Sequence, residues 1–153
     1  MAELHILGHI NCAQHFTEGY SLYCRYTVQA GPNWTLLSGS TEGQTSTGWP
    51  KLVFHVNCLD SLERSWVVGY GCTSLPTVPG YHTIRVPCWL PAATSISDSL
   101  RQYFLGGSHQ ITQNDIISLG NDRFKLRTQS KGCIEINICI ILRNFTQFGV
   151  EYK

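Results

Sequence analysis

Apolar and polar residues alternate along most of this chain, the two-residue period of strands that cover one face. Leu4, Ile6 and Ile10 share a face in a first strand, and Leu22, Cys24, Tyr26 and Val28 share one in a second. Trp34 to Leu37 makes a shorter strand. After the Trp49-Pro50 entry, Leu52, Phe54 and Val56 lie opposite Lys51, Val53 and His55, which places His55 in solvent. A charged tip (Asp60, Glu63, Arg64) then leads into Val67-Val68-Gly69-Tyr70-Gly71-Cys72, where two glycines mark a bulge or a close backbone approach. Pro76-Thr77-Val78-Pro79-Gly80 is a turn, and Tyr81 to Val86 a strand that stops before Pro87. Arg123 to Thr128 alternates charge with Phe124 and Leu126. Beyond a turn at Ser130-Lys131-Gly132, Cys133 to Arg143 sets Ile134, Ile136, Ile138, Ile140 and Leu142 on one face, with Cys133, Glu135, Asn137 and Cys139 on the other.

One segment has a different period. Ile96, Leu100, Tyr103 and Phe104 fall on one helical face, with Ser or Thr available as N-cap and Gly106-Gly107 as a stop. A short helix over approximately 94–106, inserted among seven to eight strands, predicts one all-β domain across 1–153: an antiparallel β-sandwich with a helix across one end.

At 153 residues, with 42% hydrophobic and 14% charged residues, the chain can bury a core without disulfides. A net charge of +1 gives no bulk attraction to nucleic acid. The start Met1-Ala2-Glu3-Leu4 lacks a secretory pattern, and the longest apolar run, Ile138 to Leu142, is too short to span a bilayer. A cytosolic chain is expected. The seven cysteines are odd in number and none has CxxC spacing, so they read as reduced structural thiols. In that compartment the sequons at Asn33-Trp34-Thr35 and Asn144-Phe145-Thr146 carry no sugar.

Several blocks, in this order, are similar to the B9-domain family. They are Met1-Ala2-Glu3-Leu4-His5-Ile6-Leu7-Gly8, Leu36-Leu37-Ser38-Gly39 with Glu42-Gly43-Gln44-Thr45, and Gly48-Trp49-Pro50. Gly69-Tyr70-Gly71, Pro79-Gly80, Leu142-Arg143-Asn144-Phe145 and Phe148-Gly149-Val150-Glu151 follow. The resemblance spans nearly the whole chain and implies a C2-like sandwich without enzymatic activity or cofactor. It implies a subunit of the ciliary transition-zone complex (the tectonic-like, or Meckel, complex). That complex is a barrier to membrane-protein exchange between plasma membrane and cilium, and is needed for ciliogenesis. The implied location is cytoplasm and cytoskeleton at the basal body and transition zone. The implied partners are B9 domain-containing protein 1 and the Meckel syndrome type 1 protein, with tectonic-type membrane proteins nearby and tubulin as a further candidate; nucleic acid is not among them. One departure stands out: Thr45-Ser46-Thr47 runs directly into Gly48-Trp49-Pro50, where relatives carry a further strand and its loops. An apolar gap with an open sheet edge is expected beside the strand at 49–58.

Candidate chemistry is sparse. A calcium site wants six to eight oxygens, yet Asp60 and Glu63 share one loop while Asp98, Asp115 and Asp122 lie apart. His5 and His9 share a face but sit about 13 Å apart along a strand, too far to hold one metal without a third element. No nucleophile elbow or reactive-thiol context surrounds any cysteine. Arg123, Lys125 and Arg127 fall on one strand face, with Lys131 at the adjoining turn. This stripe either guards an edge strand or makes a shallow contact with lipid headgroups or an acidic protein tail. A C2-like adaptor that binds lipid without calcium, on its own, is therefore the alternative to an assembly subunit. Arg143, Phe145, Phe148 and Tyr152 form an aromatic tail that either docks on its own domain or contacts a partner.

Overall fold

A computed structural model describes residues 1–17, 21–38, 48–92, 97, 100, 111, 116–117 and 126–149. Six strands form one antiparallel sheet: β1 (Glu3–Gln14), β2 (Ser21–Gln29), β3 (Lys51–Leu59), β4 (Ser65–Ser74), β5 (Gly80–Pro91) and β6 (Thr128–Arg143). Their spatial order is β1-β6-β5-β4-β3-β2. Pairing is long everywhere except at the centre, where β4 and β5 share only Tyr70↔Trp89 and Gly71↔Cys88. At that short seam the sheet curls over, and β1-β6-β5 packs against β4-β3-β2 as the two layers of a C2-like sandwich.

The alternation accounts for the core between the layers. Leu52, Phe54, Val56 and Cys58 of β3 meet Ile134, Ile136, Ile138 and Ile140 of β6, with Val68, Val86 and Cys88 closing the seam. Leu4 and Ile6 of β1 and Leu22, Cys24 and Val28 of β2 pack against this cluster from the edges. At about 25 cal/mol per Å² of buried apolar surface, these side chains are the main source of stability. Tyr26 shares their parity but stays exposed, because β2 is the end strand of the sheet order. The glycine-containing β4 has its expected irregularity: Val56 pairs with Gly69, yet Asn57 pairs with Val67.

Four expectations are corrected. Trp34 to Leu37 is not a strand. Trp34 instead follows a turn closed by its own N–H on Gly31 O, and its indole lies edge-on to Trp49 at 5.6 Å and donates to Gly48 O. Ser130-Lys131-Gly132 is not a turn, since β6 runs through it. Pro87 does not end its strand, which continues to Pro91 past a register shift where Pro87 faces Cys133 but Trp89 faces Ser130. No gap opens beside β3: it pairs with β2 along Lys51–Leu59 and with β4 along the same stretch. Of the helix expected over 94–106, only Ser97 and Leu100 are among the described residues, and the rest lies outside them. Six strands are described, against the seven to eight expected.

Candidate interaction surfaces

The outward faces of the two layers differ. On β4-β3-β2 a second apolar cluster covers the sheet, with Val53, Val67, Tyr70, Trp89 and Leu90 packed with Ile117 and flanked by Cys72 and Ile111. His55 was expected in solvent on this face. It is half-buried there, edge-on to Tyr70 at 5.2 Å, because residues far along the chain lie over its strand. Tyr70 accepts a hydrogen bond from the Ile111 N–H at 2.9 Å, and burial pushes its phenol upward in pKa. A pocket of about 240 Å³ opens beside this pair, lined by Tyr23, Arg25, Asn57 and Trp66 among others.

The outward face of β1-β6-β5 carries ladders of polar side chains across three strands. Asn11 Nδ2 donates to Glu135 Oε1 at 2.6 Å, and Arg85 Nε meets Glu135 Oε2 at 3.4 Å. One row over, Thr83 Oγ1 donates to Asn137 Oδ1 at 2.9 Å, and Asn137 lies 3.4 Å from His9 Nε2. The next row is apolar. Leu7, Cys139 and Tyr81 pair in register, Leu7 and Tyr81 are 61% and 90% exposed, and Ile141 is exposed beside them. The parity of Leu7, Tyr81 and Ile141, odd where the core positions are even, was the available signal for this row.

The two surfaces anticipated from sequence are only partly described. Arg123 and Lys125 lie outside the described residues. Arg127 precedes β6 and is exposed, its carbonyl accepting from Ala92 N–H at 2.8 Å. Lys131 is a half-buried residue within β6, not at a turn. At the other end of β6, Arg143 Nη1 reaches Glu3 Oε2 at 3.5 Å and Asn144, with φ +61°, donates from Nδ2 to Met1 O. A 3-10 turn at Thr146–Phe148 follows, closed by Gly149 at φ +77°. Phe145 is half-buried and Phe148 63% exposed, while Tyr152 lies outside the described residues.

Two of the seven thiols are set in apolar surroundings. Burial pushes the Cys24 thiol up to about 11 and the Cys88 thiol up to about 12, which keeps both protonated at neutral pH. Among the described residues no three His, Cys, Asp or Glu side chains converge as metal ligands, and no helix is long and apolar enough to cross a membrane.

Comparison with known proteins follows the same outline. The family model described as ciliary basal body-associated B9 protein matches residues 4–47 and 46–141. The chain is 33% identical over 178 positions to B9 domain-containing protein 2 of Drosophila melanogaster, covering 100% of both chains. It is 38% identical over 176 positions to B9 domain-containing protein 2 of Danio rerio, covering 99% of each. At greater distance it is 28% identical to B9 domain-containing protein 1 of Xenopus laevis, over 95% of this chain and 87% of the relative. No solved structure matches significantly. The family match breaks at residues 46–47, and alignments of 176 to 178 positions exceed the 153 residues available, as a segment missing at Thr47-Gly48 requires. The chain belongs to the B9-domain family of ciliary basal body-associated proteins.

Proposed function

We propose that this chain is a non-enzymatic assembly subunit of the ciliary transition-zone complex, where it helps scaffold the barrier between plasma membrane and cilium and supports ciliogenesis. The observation that carries this reading is the collinear match, from end to end, to B9 domain-containing protein 2. The thiols held protonated by burial are consistent with a structural part. Its partners are B9 domain-containing protein 1 and the Meckel syndrome type 1 protein, placed near tectonic-type membrane proteins in the cytoplasm at the basal body. The C-terminal segment, with Arg143, Phe145, Phe148 and Tyr152, supplies the partner contact. Exposed Phe148 supports this, since a large aromatic side chain in solvent is a frequent interface anchor. Arg123, Lys125, Arg127 and Lys131 contribute a weaker anionic contact at the membrane side.

The test is co-expression of the three B9-domain proteins and recovery through a tag on this chain. Phe148→Ala combined with Tyr152→Ala should reduce recovery of both partners at unchanged melting temperature. Undiminished recovery would remove the C-terminal contact, and no co-purification of the wild-type chain would remove the subunit reading. Binding to anionic liposomes by the chain alone, weakening steeply with salt, would favour an autonomous lipid adaptor instead.

A further inference from the structure

Among the described residues the long edge strand β1 is unguarded. Among the described residues it hydrogen-bonds to β6 alone, so one row of its backbone N–H and C=O groups faces outward. Edge strands are ordinarily blunted by charges, proline or bulges, because open backbone groups template pairing with another chain. From Leu4 to Thr17 there is no Asp, Glu, Lys, Arg or Pro, and the one register shift comes only after Ile10. The side chains along it are open as well: Leu7 is 61% and Ile10 37% exposed.

The order of residues says which strand fits. Leu4-His5-Ile6-Leu7-Gly8-His9-Ile10 is nearly palindromic about Leu7. We propose that β1 pairs antiparallel with β1 of a second copy about a two-fold axis at Leu7, joining the two β1-β6-β5 layers into one sheet. In that register Leu4 lies opposite Ile10 of the second copy, Ile6 opposite Gly8, and His5 opposite His9. A large residue meets a small one at Ile6 and apolar meets apolar at Leu4, and no Asp, Glu, Lys or Arg opposes another across residues 4–10, where opposed like charges would destabilise. The exposed row Tyr81–Cys139–Leu7 continues through the axis into the same row of the second copy. The closed two-fold contact uses the same patch on both chains, as isologous dimers do.

The histidines flanking the axis have contacts within their own copy. His5 already has Glu3 Oε2 at 3.3 Å, a carboxylate that also meets Arg143 at 3.5 Å, and Ile141 stands opposite it on β6. His9 has the Asn137 amide at 3.4 Å on β6, with Thr83 beyond.

Sedimentation velocity of the purified full chain over a concentration series at pH 7.5 tests this. The expected result is a reversible dimer, weakened at least tenfold by Leu7→Lys, which opposes two ammonium groups at the axis. Leu62→Lys, at the distant hairpin tip, should leave it intact. Should Leu7→Lys fail to fold, Leu7→Glu, which opposes two carboxylates at the axis, serves in its place. A chain monomeric at every concentration, or one that assembles only with a different protein, overturns the proposal. A dimer indifferent to a charge placed at position 7 does so equally.

Discussion

Gly132 lies inside β6 where β1 ends, and a Cβ there would be driven into the backbone oxygen of Gln14 and to 2.6 Å of the Phe16 ring. The neighbour is main chain, which cannot swing away as a side-chain tip can. Gly132→Ala should therefore lower stability by about 1–3 kcal/mol, the usual range for overpacking. Gly48→Ala is the control, since nothing lies within 4 Å of where its Cβ would stand and its effect should stay within about 0.5 kcal/mol. Chemical denaturation of the two variants beside wild type checks both. Equal midpoints would mean that β1 and β6 separate locally at little cost. The same residue shows where reading the sequence went astray. Ser130-Lys131-Gly132 has turn composition, yet this glycine is needed for close approach between strands, and composition does not distinguish the two demands.

At the level of elements, hairpins and core faces were legible because their signals are local. The parity of Leu52, Phe54 and Val56 and of Ile134 to Ile140 reports burial directly, and the charged tip between β3 and β4 reports a turn. That tip is organised by one carboxylate. Asp60 Oδ1 accepts from the N–H groups of Leu62 and Arg64, and Oδ2 takes the Arg64 guanidinium at 2.7 Å. Desolvation opposes ionisation there, but the hydrogen bonds and charge of Arg64 and the Leu62 N–H outweigh it and hold the carboxyl below its usual range. A depressed carboxylate pKa contributes stability above the unfolded value near 3.9 and loses it as pH falls through the folded value. Asp60→Ala should thus lower the melting temperature at pH 7, with the difference from wild type narrowing below about pH 4. Asp60→Asn, which keeps an accepting oxygen, should fall between them at pH 7. Thermal scans across pH decide it, and a difference unchanged at pH 3 would refute the charge argument. The position of His55 was not legible, because Ile111 and Ile117, which are far away in sequence, belong to the cluster on its face.

For the molecule as a whole, the question is whether a B9-family sandwich closes without the segment that its relatives carry at Thr47-Gly48. Sequence reasoning anticipated an open apolar gap beside the 49–58 strand, because deleting a strand leaves its neighbour unpaired when nothing else moves. Instead β2 pairs along the full length of β3, and the Trp34–Trp49 contact with Trp49 Nε1 donating to Leu75 O at 2.9 Å ties down the entry to β3. The open edge among the described residues is carried by β1, not β3. Exchange should follow that arrangement. Amides of Lys51–Leu59, hydrogen-bonded on both sides and packed by Leu52, Val53, Phe54, Val56 and Cys58, should exchange only through global opening. Those of β1 that face outward should exchange far faster at concentrations that keep the chain monomeric. The same chain should melt in one cooperative transition within the ordinary mesophile range, about 45–65 °C. Hydrogen–deuterium exchange with calorimetry checks both, and a β3 as labile as the outward amides of β1 would mean that the shortened sandwich has not closed.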